Sequence, residues 1–125
     1  MKKAPLKKKT KDPRTVLLRK IDRLLQDSYR FNFKGTKCES CQDSPFDLVH
    51  HFIEKSRSAN LRFDPDNLIF LCQKCHVLHH NYGDATISAR IILRRGEGWL
   101  RSLLKKAIFK RWSLGELREM ESKFK

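Results

Sequence analysis

A chain of 125 residues with 39% apolar and 34% charged residues can bury one modest core but not comfortably two, and it is too apolar to be wholly disordered. Lys and Arg number 28 against 14 Asp and Glu, a net charge of +14 that exceeds what solubility needs and attracts polyanions, nucleic acid first among them. Apolar runs such as Leu68–Leu71 fall far short of the ~20 residues of a membrane span, and no signal-peptide core follows the lysine-rich start. The expectation is a cytoplasmic protein without a membrane partner.

Residues 1–12 carry Lys2, Lys3, Lys7, Lys8, Lys9 and Lys11 with no acid before Asp12, the composition of a disordered basic tail. Asp12 followed by Pro13 signals a helix start. Val16, Leu17, Ile21, Leu24 and Leu25 then recur at helical spacing, predicting a helix over 13–30 within an N-terminal segment 13–34. From Gly35 to Tyr82 the composition changes to cysteines, histidines, short apolar runs and turn residues, which sets 35–83 apart as the chemical core. There, 46–53 reads as a strand, Phe63-Asp64-Pro65-Asp66-Asn67 as a turn into the apolar run at 68–71, and the stretch from Cys72 to His80 as a helix stopped at Gly83. In 84–125, Asp84 caps a helix bearing Ile87, Ile91, Ile92 and Leu93. A further helix spans 99–109 beyond the Gly96-Glu97-Gly98 break, and Ser113 with Glu116 forms a capping box before the last one.

The four cysteines form two Cys-x-x-Cys pairs, Cys38/Cys41 and Cys72/Cys75, separated by 30 residues. Each pair presents two thiolates from one tight turn, and two such knuckles complete a tetrahedral zinc shell. Disulfides seldom persist in a reducing compartment, and a catalytic dithiol needs only one such motif, so a structural zinc ion is the expectation.

All five histidines, His50, His51, His76, His79 and His80, fall inside this segment. Four cysteines already saturate one zinc, so the imidazoles point to a second metal. His76 and His80, four apart on a helix, project from one face and can grip one ion, with His50 reaching it from the strand. His79, three from His76, is a weaker candidate for the same ion and fits a surface or packing role better. Neighbours on a strand face opposite ways, so if His50 binds metal, His51 is available as a general base that takes a proton from water near neutral pH. Asn67 can hold that imidazole through its amide, or the strand pair through its backbone.

The run Cys38-x-x-Cys41, Leu48-Val49-His50-His51-Phe52-Ile53 and Asp66-Asn67-Leu68-Ile69-Phe70-Leu71-Cys72-x-x-Cys75-His76 resembles the HNH endonucleases with a cysteine-rich zinc frame. The resemblance implies an α+β fold, a small ββα-metal core on a four-cysteine zinc site flanked by α-helices. It makes His51 the general base, His50, His76 and His80 the ligands of one catalytic divalent ion, and Asn67 the asparagine that steadies the hairpin or the base. Three imidazoles suit zinc, nickel or manganese better than magnesium. A narrower likeness, carried by Leu61-Arg62-Phe63-Asp64-Pro65-Asp66-Asn67 and His80-Asn81-Tyr82-Gly83, is to the phage recombination nucleases called NinG or Rap, which act on branched DNA. The chain departs from that pattern at His76 and His50.

Between Arg90 and Arg111 stand Arg90, Arg94, Arg95, Arg101, Lys105, Lys106, Lys110 and Arg111 against the single acid Glu97. Arg90, Arg94, Arg95, Arg101, Lys105 and Lys106 are therefore the expected phosphate contacts, with affinity that falls with salt and carries no sequence preference. The sequence reading is a DNA endonuclease, monomer or homodimer, of bacterial or phage origin. Its competitors are a noncatalytic zinc-ribbon DNA-binding protein and an RNA-binding zinc protein, which share the cysteines and the charge but leave the histidines unexplained.

Overall fold

The computed structural model describes residues 12–54, 59–107 and 110–124; the expectation of a disordered tail falls on 1–11, outside them. Helix α1 is Pro13–Asn32, opened by the Asp12 carboxylate, which accepts from the Arg14 backbone N–H. It runs two residues past the predicted end because the Phe33 N–H still reaches the Tyr29 carbonyl.

Two short strands, β1 (Leu48–His51) and β2 (Leu68–Leu71), pair antiparallel with Val49 opposite Phe70 and His50 opposite Ile69. The first strand is shorter than the predicted 46–53. Phe46 turns back to bond the Thr36 carbonyl, and beyond His51 the chain bends, with the Phe52 N–H bonded to the Asn67 carbonyl at 2.8 Å. Short 3₁₀ turns at Ala59–Leu61 and Pro65–Asn67 lead into β2.

Helix α2 (Gln73–Tyr82) starts at the second knuckle and ends at Gly83, whose φ of +58° gives the left-handed stop that glycine adopts without strain. Helix α3 (Ala85–Arg95) is capped by Asp84 through the Thr86 N–H at 3.0 Å. Helix α4 (Glu97–Lys106) begins two residues earlier than predicted, because Gly96 at φ +92° turns the chain between two helices within a single residue. It ends at Lys106 rather than 109, and Ile108 and Phe109 lie outside the described residues. Helix α5 (Leu114–Phe124) has the predicted capping box: Glu116 N–H donates to Ser113 Oγ and Ser113 N–H donates to Glu116 Oε1.

The two-stranded sheet separates two cores, as strand alternation requires. Val49 and Leu68 face Ile21 and Leu25 of α1 and Leu117 of α5. Ile69 and Leu71 face the cysteines together with Ile87 and Ile91 of α3. Among the described residues no helix is long and apolar enough to cross a membrane.

Candidate active site

The two knuckles converge on one point. Cys38, Cys72 and Cys75 are buried and Cys41 is half-buried, and their four sulfurs lie within 4.8 Å of one another. Cys41 Sγ and Cys72 Sγ are 3.8 Å apart. Sulfurs bound at 2.3 Å around a tetrahedral zinc stand about 3.8 Å apart, so the cage fits a structural zinc ion. Burial pushes the Cys75 thiol up to about 12, whereas the Asp43 backbone N–H helps bring Cys41 down to about 7. A bound cation supplies the charge that lets all four ionise together.

The strand alternation that divides the cores also divides His50 from His51. His50 is paired with Ile69 and lies on the α2 side of the sheet. Its ring centroid is 5.0 Å from His76, 5.1 Å from His79 and 5.8 Å from His80, and the His76 and His80 rings are stacked at 5.5 Å. Burial, followed by the neighbouring imidazoles, pushes the His50 pKa down to about 3, and burial also lowers His76 and His79. Neutral imidazoles are what a metal requires. Nδ1 of His76 is buried without a hydrogen-bond partner among the described residues, as suits a nitrogen left to an ion. Imidazoles are donors that suit a divalent cation, but among the described residues the four cysteines alone bring three or more ligand atoms within 4.8 Å of one another. His79, the weaker candidate by spacing, is as near to His50 as His76 is, and its Nδ1 lies 3.5 Å from Ser88 Oγ.

His51 is on the opposite face. Its Nε2 lies 2.7 Å from the Arg62 carbonyl oxygen; a carbonyl only accepts, so in the neutral ring Nε2 carries the proton and the basic lone pair is on Nδ1. Arg62 is itself fixed by Asp22 of α1, through Nη2 to Oδ2 at 2.6 Å and Nε to Oδ1 at 3.3 Å. A cavity of about 460 Å³ reaches both faces of β1 and is lined by Asp22, Gln26, His50, His51, Glu54, His76 and His80.

The Asn67 amide binds backbone groups rather than an imidazole in the bonds described. It is fully buried. Its Oδ1 accepts from the Ile53 N–H at 2.8 Å, and its Nδ2 donates to the Ile53 carbonyl at 3.0 Å and the Leu61 carbonyl at 3.3 Å. It therefore fastens the bend that follows His51. Both outer edges of the hairpin are closed by side chains that act as substitute strands. Gln26 pairs with Val49 on one edge. On the other, Glu39 between the first two cysteines exchanges bonds with Phe70, its N–H donating to the Phe70 carbonyl and its Oε1 accepting from the Phe70 N–H.

The six basic residues singled out in the sequence take different places. Arg95 turns inward to Glu39, at 2.5 and 2.8 Å, and to the carbonyls of Leu68 and Asp66, with its guanidinium over the Trp99 ring. Lys106 pairs with Asp64 and Asp66, and Arg101 with Glu97 on the same helix. Arg90, Arg94 and Lys105 are exposed. Asp22, Gln26 and Glu39, which brace Arg62 and the two strands, are not marked by anything in their spacing.

Residues 38–82 match the family model for HNH endonuclease. The matched stretch runs from the first cysteine through β1, β2 and α2, and α1 and α3 to α5 lie outside it. No curated protein and no solved structure matches the chain.

Proposed function

We propose, on the premise of the HNH match over residues 38–82, that the protein is a metal-dependent DNA endonuclease that hydrolyses phosphodiester bonds at the cavity around β1. The observation that carries this reading is the division of adjacent histidines: His50 sits among three imidazoles while His51 is held through Nε2 on the other face.

His50, His76 and His80 are the residues that would hold a divalent ion. When bound, the ion supplies a Lewis acid that stabilises negative charge at the phosphate and the departing oxygen. His51 accepts a proton from the attacking water at Nδ1, and the Arg62 carbonyl keeps Nε2 protonated and the ring oriented. Asn67 and Gln26 hold the backbone on either side of this pair, at Ile53 and Val49. The net charge of +14 draws DNA in by long-range attraction.

Cleavage of supercoiled plasmid with manganese, nickel, zinc or magnesium tests the reading, with a chelator control. Nicked or linear product that appears only with a divalent ion supports it. The likeness to nucleases of branched DNA makes four-way junctions the second substrate. Binding to both DNAs without cutting either, whatever the metal, would make the protein a noncatalytic zinc-ribbon binder.

A further inference from the structure

The HNH match ends at Tyr82 and does not include α1, yet α1 forms one wall of the cavity through Asp22 and Gln26. Helix periodicity then decides what stands beside that wall. Arg19 is three residues before Asp22, and Arg23 is three before Gln26 and four after Arg19, so the two arginines stack along the flank of the wall. Both are exposed and border a shallow surface groove with Val16 and Lys20. Lys20 is engaged by Glu121 of α5 at 2.8 Å, and Arg30, farther along, donates to the Asp47 carbonyl. Arg19 and Arg23 have no ion-pair or hydrogen-bond partner among the described residues.

Two basic residues of α3 lie elsewhere. Arg90 lines a groove with Lys74 and Leu78, on the zinc side of α2. Lys74 and Leu78 project from α2 roughly opposite His76 and His80, given ~3.6 residues per turn, so Arg90 stands across α2 from the cavity. Arg95 is occupied with Glu39.

We infer that the Arg19/Arg23 edge of α1 is a phosphate rail, binding the backbone of the DNA strand that crosses the histidine cavity. The two residues are spaced about 6 Å along the helix axis, a separation suited to neighbouring phosphates of one strand, and each guanidinium is a planar fork that can take a phosphate bidentately. The inference rests on reading the cavity as a nuclease site, but its test does not require cleavage.

The full chain carrying His51→Ala is titrated with a short labelled duplex at several salt concentrations, with and without Arg19→Gln/Arg23→Gln. Two lost phosphate contacts should make the slope of log affinity against log salt shallower by about 1.8 and weaken binding roughly tenfold or more at moderate salt. Arg90→Gln/Arg94→Gln serves as a control of equal charge and should weaken binding less. An unchanged slope for the Arg19/Arg23 variant, or an equal loss in both double variants, would overturn the rail. Both arginines are exposed, so the fold should persist; if the double variant fails to fold, Arg19→Gln and Arg23→Gln singly should each give about half the change in slope. A rail-dependent affinity in a protein that never cuts DNA would leave the rail standing and remove the nuclease reading.

Discussion

Gln26 of α1 grips Val49 of β1 with both ends of its amide: Nε2 donates to the Val49 carbonyl at 2.7 Å and Oε1 accepts the Val49 N–H at 3.0 Å. Val49 sits directly opposite Phe70, whose outward carbonyl accepts from the Glu39 backbone N–H and whose N–H donates to Glu39 Oε1. Side chain, strand, strand and knuckle thus form one hydrogen-bonded row across a hairpin that would be marginal alone. The histidine following Val49 is His50, so the row sets where both histidines stand.

Gln26→Ala leaves the two backbone groups of Val49 without partners, which costs about 1–3 kcal/mol. Urea unfolding of the zinc-loaded protein should show this loss. If the amide also positions the histidines, the maximal cleavage rate should fall while the concentration of DNA needed for half-maximal rate stays close to wild type.

Asn67→Ala removes three hydrogen bonds from a fully buried site, and a loss of about 2–3 kcal/mol is expected. Asn67→Asp should be no better, since it turns a carboxylate oxygen toward the carbonyls of Ile53 and Leu61. Amide exchange at Ile53 gives the local readout: its N–H should exchange much faster in both variants, and protection equal to wild type would refute the role.

The knuckles predict one tightly held zinc ion that survives dialysis and whose removal unfolds the protein, because binding energy in a cage of this kind is folding energy. Cys75→Ser should weaken zinc retention and lower the melting temperature together. Metal analysis alongside circular dichroism checks both, and a protein that keeps its fold after zinc is stripped would contradict the prediction.

Arg95→Ala separates structure from binding. The Glu39 carboxylate, largely enclosed beside Arg95, would lose its charged partner, for a loss of about 2–3 kcal/mol. DNA affinity, compared at equal folded fraction, should change less than in Arg19→Gln/Arg23→Gln.

The sequence marks the parts of this fold whose signals are local. Cys-x-x-Cys spacing locates the zinc cage, Asp12-Pro13 and Ser113 with Glu116 locate helix starts, and the clustering of histidines locates the cavity. What escaped it is long-range. Gln26 lies 23 residues from Val49 and Arg95 lies 56 from Glu39, and a polar residue on a helix gives no sign of which distant backbone or carboxylate it will meet. For the same reason the run from Arg90 to Arg111 reads as a single basic surface, although the fold turns Arg95 inward and pairs Lys106 with acids of the turn before β2.

Whether His51 takes the proton of the attacking water is read from single-turnover cleavage with protein in excess of DNA. His51→Ala should bind DNA and metal as the wild type does and cut about 10²–10⁴-fold more slowly. A His51→Ala protein that cuts at the wild-type rate under the same metal would exclude His51 as the base.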